Sequence, residues 1–180
     1  MCAHYASYEW VISMNSKATF EGYAIYKRIN NIHFDRLIKR IRSRFKAHLI
    51  NSKHTVAVIK KNVLNGVKGL YGFASDQSPQ LRPSNYWGKF MGHEVPVHTG
   101  AEMLSKRFDM IVLFLKVQKV KRGYYEAELE ILSENPNEIP NFEITETFSR
   151  KVEQQIFEKP EYYLWTHNRW KHMGKNKNKQ

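Results

Sequence analysis

The sequence predicts an α/β fold, because helical and strand patterns alternate over the first two thirds of the chain. Its 180 residues, 42% of them apolar, suffice for one domain with a core. The longest apolar run, residues 110–115, is far shorter than the roughly 20 residues that cross a bilayer. A single cysteine, Cys2, excludes an internal disulfide framework. We expect one domain over 1–173 and a disordered basic tail over 174–180.

The amino-terminal part carries a strand pattern followed by two helix patterns. Residues 19–26 are rich in aromatic side chains and predict a strand. Residues 34–46 predict a helix, with Asp35 near its start, where a negative charge suits the helix dipole. Residues 54–64 predict a second amphipathic helix, and a short strand follows. The apolar positions of the first helix recur every three or four residues: Phe34, Leu37, Ile38, Ile41 and Phe45.

The next predicted elements are a loop, a helix and a hairpin. Residues 75–85 contain two prolines and predict the loop, and residues 101–108 predict the helix. The first half of 110–120 is continuously apolar, which favours a strand in the centre of a sheet. In 124–132 apolar residues alternate with glutamates, so we expect a half-exposed strand that pairs with the preceding one. A final helix is predicted over 144–158.

The strongly basic charge predicts an acidic partner. The chain has 29 Lys and Arg against 17 Asp and Glu, a formal charge of +12. Nucleic acid, an anionic membrane surface and an acidic carrier protein all fit this excess, but no zinc-finger, KH or RRM pattern supports nucleic acid. The helix over 34–46 either packs its apolar face on a core or binds an anionic lipid or acidic protein. The aromatic and basic run 160–171 suits either a membrane interface or a packed segment.

One pair of residues could perform acid–base chemistry. A carboxylate can orient an imidazole and stabilise its protonated form, as His4 and Glu9 would do. Residues five positions apart do not face each other on a regular helix, so the pair requires His4 ahead of a helix and Glu9 in its first turn. From spacing alone, two unrelated side chains remain the alternative. His93 and His98 lack nearby ligands in the sequence, so no metal site is expected.

The order of these features resembles that in the glycerolipid acyltransferase superfamily. The run from His4 to Glu9 resembles its H-x4-D/E catalytic motif. The rest resembles the late (lauroyl/myristoyl-type) acyltransferases of lipid A biosynthesis, and the closing run PEYYLWTHNRWK at 160–171 is the most specific match. Arg28 and Lys46 depart from the pattern, since the family has proline and glycine there. The other matching blocks are 26–31, 34–35, 42–45, 75–79, 87–92 and 96–102.

The resemblance implies a mixed sheet flanked by helices, and it covers only the carboxyl-terminal part of a usual family member, with an amino-terminal strand and helices missing. It also implies an enzyme that moves a fatty acyl chain from acyl carrier protein to a hydroxyl of a lipid A precursor in lipopolysaccharide biosynthesis. Two alternatives remain open. One is an acyltransferase for another lipid, such as a lysophospholipid, and the other is an inactive truncated fragment.

By the same resemblance, His4 would deprotonate the acceptor hydroxyl and Glu9 would orient His4. No cofactor is expected beyond acyl carrier protein or coenzyme A as carrier of the acyl donor. The implied partners are acyl carrier protein, a phosphorylated lipid acceptor and an anionic membrane surface, and no nucleic acid. The implied location is the cytoplasmic face of the bacterial inner membrane, with peripheral attachment. The implied substrate-binding residues are Lys27, Arg28, Arg42, Arg44, Asp76 and Gln77.

Overall fold

The computed structural model describes residues 1–176 and confirms the α/β class, since helices flank small sheets. Residues 177–180, the end of the predicted basic tail, lie outside the described residues. The contacts divide the chain into two compact units. We call residues 7–73 the parallel-sheet unit, and residues 1–6 together with 74–176 the antiparallel unit. Within the described residues no helix is both long and apolar enough to cross a bilayer.

The parallel-sheet unit consists of β-α-β connections. Its three strands lie parallel in the order β2-β1-β3, and a helix joins each strand to the next, as parallel pairing requires. A 3-10 segment, Tyr8–Ser16, precedes them. The ring of Tyr23 on the central strand stacks on both His48 and Tyr71 of its neighbours, at 5.0 and 4.9 Å between centroids. The elements are β1 (Glu21–Tyr26), α1 (Ile32–Arg42), β2 (His48–Asn51), α2 (Thr55–Leu64) and β3 (Gly69–Gly72).

Helix α1 begins and ends for local reasons. The Asn31 side chain caps its start by accepting from the backbone N–H groups of His33 and Phe34, at 3.1 and 3.0 Å. The prediction that the helical pattern continues through Phe45 is wrong, because α1 ends at Arg42. Phe45 and Lys46 have φ of 59° and 60°, a left-handed conformation that a right-handed helix cannot contain.

The antiparallel unit consists of two hairpins and two helices. Its core joins the inner face of the last helix, through Val152 and Ile156, to Phe90 and Phe114 of the hairpins and to Tyr163. The predicted hairpin and the predicted last helix are both confirmed. The elements are β4 (Trp87–Phe90), β5 (His93–Pro96), α3 (Gly100–Phe108), β6 (Val112–Lys121), β7 (Tyr124–Ser133) and α4 (Glu143–Glu158).

Among the described residues strand β6 forms a two-stranded sheet with β7, so the prediction that it lies in the centre of a sheet is wrong; its other edge is hydrogen-bonded to Met1. On one edge it pairs with the mostly exposed β7. On the other edge the Leu115 N–H donates to the Met1 carbonyl at 2.8 Å, and the Met1 ammonium donates to the Leu113 carbonyl. Cys2 then forms a bridge with Ala74. The first residues of the chain therefore run beside β6 and lead directly to His4.

Candidate active site

The backbone around His4 is held on both sides. Before it, the Cys2 carbonyl accepts from the Ser75 N–H at 3.2 Å. At His4 itself, the carbonyl accepts from the Leu164 N–H at 3.0 Å, and two residues later the Ala6 N–H donates to Tyr162. The histidine therefore occupies a short extended segment that is hydrogen-bonded to two other parts of the antiparallel unit, which restricts where its ring can lie.

The His4 ring pairs with a buried carboxylate. Its Nδ1 lies 2.7 Å from Oδ1 of Asp76, whose residue is only 4% exposed. An ionised carboxylate can only accept a hydrogen bond, so Nδ1 carries the hydrogen in this pair. The other ring nitrogen, Nε2, is then the one that accepts a proton. This arrangement, with a carboxylate behind an imidazole, orients a general base and stabilises the imidazolium that it becomes.

Two further buried side chains, Tyr163 and Arg169, interact electrostatically with Asp76. Burial raises the pKa of the Tyr163 hydroxyl, and the negative charge of Asp76 raises it further. Arg169 is 2% exposed, and burial lowers the pKa of its guanidinium while Tyr163 and Asp76 oppose that change. Nη1 of Arg169 donates to the Pro96 carbonyl at 3.1 Å, and the guanidinium carbon lies 5.0 Å from the centre of the Phe90 ring. Arg169 thus supplies a positive charge that partly offsets the burial of Asp76.

The loop that carries Asp76 is fixed by the same carboxyl-terminal segment. The Ser78 hydroxyl donates to the Arg169 carbonyl at 2.6 Å. The Ser78 N–H donates to Nε2 of His167 at 3.0 Å. Burial lowers the pKa of His167, and the positive charges of Lys171 and Arg169 lower it further, which keeps this ring neutral and able to accept. The segment 160–171 therefore holds both the strand of His4 and the loop of Asp76.

Ser78, Tyr163, His167 and Arg169 were not predicted as site residues. The last three belong to the run 160–171, whose match to the family is the most specific. That match was a usable signal for their importance. It gave no indication of their contacts, because Ser78 and Arg169 are 91 positions apart in the chain.

Glu9 has its own well-defined partner in the parallel-sheet unit. It lies in the first turn of the 3-10 segment Tyr8–Ser16, the position expected for it. Nε of Arg42 donates to Oε2 of Glu9 at 2.9 Å, and Nη2 of Arg42 donates to Oε1. This hydrogen-bonded pair raises the pKa of the Arg42 guanidinium. Such a bidentate contact fixes the plane of the carboxylate and occupies two donors of the guanidinium.

A comparison with protein families matches most of the chain. The family model of bacterial lipid A biosynthesis acyltransferases matches residues 1–172. The chain belongs to this family. The match includes His4, Glu9 and the carboxyl-terminal segment that holds the His4 strand and the Asp76 loop. No curated protein matches the chain.

The other predicted substrate-binding residues of this lipid A acyltransferase family member are mostly solvent-exposed. Lys27 and Arg28 follow directly after β1, and Arg44 lies in the turn after α1. Within residues 1–176 none of these three forms an ion pair with a carboxylate. Gln77 is partly buried beside Asp76. The side chains of these three cations are thus accessible to a charged ligand. In contrast, Nε and Nη2 of Arg42 already donate to Glu9.

A cavity of about 320 Å³ lies on the β6–β7 hairpin, and no predicted site residue lines it. Its lining residues are Lys116, Gln118, Glu126, Ala127 and Glu128. Across the described part of the chain, no group of three or more His, Cys, Asp or Glu side chains is placed to hold a metal ion.

Proposed function

We propose that this chain transfers a fatty acyl group to a hydroxyl of a lipid A precursor, with His4 as the general base. The observation that supports this most directly is the 2.7 Å pairing of His4 with the buried Asp76, in a chain that belongs to the lipid A acyltransferase family. General bases of this kind require a fixed ring and a stabilised protonated form, and Asp76 supplies both.

In the proposed reaction, Nε2 of His4 takes the proton of the acceptor hydroxyl while its oxygen attacks the thioester carbonyl of the acyl donor. The new C–O bond forms and the C–S bond breaks, so the acyl group becomes an ester. The imidazolium then returns the proton to the departing thiolate, which leaves as a thiol. The electrostatic attraction of Asp76 for the imidazolium lowers the energy of the state in which His4 carries the proton.

Asp76 is a positioning residue in this scheme, and Glu9 is the second carboxylate of the H-x4-E motif. The bidentate contact from Arg42 supports this role for Glu9, because it fixes the orientation of the carboxylate. Arg42 is therefore assigned to Glu9 rather than to a lipid phosphate.

A direct transfer, without an acyl-enzyme, fits the nucleophiles that the chain offers. Burial raises the pKa of the Cys2 thiol to about 11, which leaves little thiolate at neutral pH. No nucleophile motif for serine or cysteine occurs in the sequence. The acyl group therefore passes from the donor thioester to the acceptor oxygen in one complex of both substrates with the enzyme.

The excess of positive charge suits the proposed partners. Acyl carrier protein is the proposed donor, and exposed cations such as Lys27, Arg28 and Arg44 would attract its acidic surface or the phosphates of the acceptor. The proposed location is the cytoplasmic face of the inner membrane, where both partners would be accessible.

The test is an acyl-transfer assay with a panel of donors and acceptors. Radiolabelled acyl–acyl carrier protein and acyl-coenzyme A are each offered with a lipid A precursor and with lysophosphatidate, and the products are identified by mass spectrometry. We expect product on the lipid A precursor, with acyl carrier protein as the better donor. Product on lysophosphatidate alone would overturn the proposed acceptor. Wild-type activity in both His4→Ala and Glu9→Gln would overturn the proposed chemistry.

A further inference from the structure

Helix α1 turns some of its apolar side chains outward, while Ile38 and Ile41 are partly buried. On this helix and the turn that follows it, Phe34 is 50% exposed, Leu37 is 51% exposed and Phe45 is 48% exposed. An amphipathic helix that packs on a core usually buries such side chains, so this face lacks the cover that its pattern would ordinarily receive.

The outward orientation follows from ion pairs on the opposite side of α1. Asp35 is only 4% exposed and accepts from Lys39, with 2.7 Å between Nζ and Oδ2. One turn later, Arg42 is held by Glu9. Asp35, Lys39 and Arg42 are spaced by four and three residues and therefore lie on one side of the helix. The buried carboxylate of Asp35 marks this side as the inner one, which leaves Phe34 and Leu37 on the outer side.

The cations next to this apolar face have no acidic partner. Residues 32–46 contain six Lys and Arg but a single acidic residue, the buried Asp35. Two of the six are engaged inside the unit, as described above. Within residues 1–176 the remaining four form no ion pair, and all four are exposed. They are Arg36, Arg40, Arg44 and Lys46.

We propose that this outer face of α1 and its following turn, the α1 surface, docks on a membrane that contains anionic phospholipids. Apolar side chains beside unpaired cations are what an interfacial helix presents to lipid, with the apolar groups among the acyl chains and the cations at the phosphates. The α1 surface is defined by Phe34, Leu37 and Phe45 together with Arg36, Arg40, Arg44 and Lys46. The inference rests on the proposed function to the extent that a lipid acceptor requires contact with a membrane.

A membrane explains this surface better than an acidic protein does. Charge attraction to an acidic partner accounts for Arg36 and Arg40, but not for the half-exposed Phe34 and Leu37 beside them. The strained turn at Phe45 and Lys46 also leaves an aromatic ring half in solvent shortly after the end of the helix. Both the charge and the apolar area are satisfied at the boundary between lipid head groups and acyl chains.

The test is binding of the full chain to vesicles of phosphatidylcholine with and without 30 mol% phosphatidylglycerol, an amount of about one anionic lipid in three chosen to give a strongly negative surface. We expect binding to the anionic vesicles that weakens as salt is added. Phe34→Glu should weaken it at least about tenfold, because a charge replaces an inserted ring. Arg36→Gln with Arg40→Gln should weaken it about 25-fold, since each cation near the surface contributes about fivefold.

Matched substitutions elsewhere provide the controls. Phe157→Glu replaces a phenylalanine that is 71% exposed on α4, next to Glu158, and should leave vesicle binding unchanged. Far-UV circular dichroism and thermal melting establish whether each variant is folded. If Phe34→Glu does not fold, the double variant Arg36→Gln with Arg40→Gln, at two exposed residues, provides the test. Equal vesicle binding by the folded variant and the wild type would overturn the inference. So would variants that lose binding of acyl carrier protein while vesicle binding is unchanged.

The outcome separates this inference from the proposed function. His4→Ala should bind vesicles as the wild type does and yet lose acyl transfer. Normal acyl transfer by His4→Ala would overturn the catalytic proposal and leave membrane docking intact. Unchanged vesicle binding by the α1 variants would overturn membrane docking and leave the catalytic proposal intact.

Discussion

Replacement of Asp76 by asparagine should slow acyl transfer by about 100- to 1000-fold while the protein remains folded. The substitution keeps the size of the side chain and an oxygen that can accept from Nδ1 of His4, which lies 2.7 Å from the present carboxylate. It removes the negative charge that faces the imidazolium. Asp76→Asn therefore tests the charge separately from the hydrogen bond.

The magnitude follows from the geometry. With the two charge centres about 4 Å apart and an effective dielectric constant of about 20, their attraction is about 4 kcal/mol. Because about 1.4 kcal/mol corresponds to a tenfold change in rate, full loss of that attraction slows the proton-transfer step by about 1000-fold. The hydrogen bond that asparagine retains accounts for the lower end of the range.

The assay measures initial rates over a range of acceptor concentrations, so that kcat and KM are obtained separately. A positioning role predicts a fall in kcat with little change in KM, since Asp76 does not contact the acceptor in the proposed scheme. The matched control is Asp109→Asn, at an exposed residue with φ of 49° that ends α3, where asparagine is well tolerated. A folded Asp76→Asn enzyme with kcat within about threefold of wild type would show that the charge of Asp76 does not assist His4.

Three further predictions concern stability. Lys46→Gly should stabilise the protein to urea by about 0.5–1 kcal/mol, because Lys46 has φ of 60°, and an unchanged or lower midpoint would contradict this. Ile156→Ala, at 1% exposure, should cost about 2–5 kcal/mol in the same measurement, whereas Phe157→Ala, at 71% exposure, should cost less than about 0.5; equal effects would be inconsistent with the described core. Burial lowers the pKa of His167 in the folded protein below the 6.5 of the unfolded chain. Between the two pKa values the unfolded state binds more protons, so stability falls as the pH falls. The melting temperature should therefore drop less from pH 7.5 to pH 5.5 in His167→Gln than in wild type, and an equal drop would count against this role.

Local patterns were sufficient to predict most elements of the fold. The predicted last helix, 144–158, differs from the observed α4 by one residue at its start. The hairpin of β6 and β7 follows from an apolar run, a turn at Arg122 and Gly123, and an alternating pattern. These signals lie within the segments that they describe, which is why the sequence alone could reveal them.

The end and orientation of α1 could not be predicted in the same way. The amide of Asn15 donates to the Phe45 carbonyl at 2.6 Å, a contact across 30 positions that accompanies the left-handed turn. The inward side of the helix is occupied by Arg42 because Glu9, 33 positions earlier, accepts from it. Periodicity identifies an apolar face, but it does not show whether protein or solvent lies against that face.

The candidate site shows the same division between local and distant information. The spacing of His4 and Glu9, together with the resemblance, was enough to single out both residues. The family resemblance implied that Asp76 binds substrate, but its pairing with His4 spans 72 positions. The sequence carries no local signal for such a contact, and only the folded chain places the two side chains together.

The proton transfer assigned to His4 is tested most directly by the rate of acyl transfer in the His4→Ala variant at saturating donor and acceptor. If His4 is the general base, kcat should fall by at least about 100-fold, the usual contribution of such a group. Partial recovery on addition of free imidazole would assign the lost activity to the missing ring. A folded His4→Ala protein that transfers acyl groups at a rate near that of wild type would contradict the assignment of this proton transfer to His4.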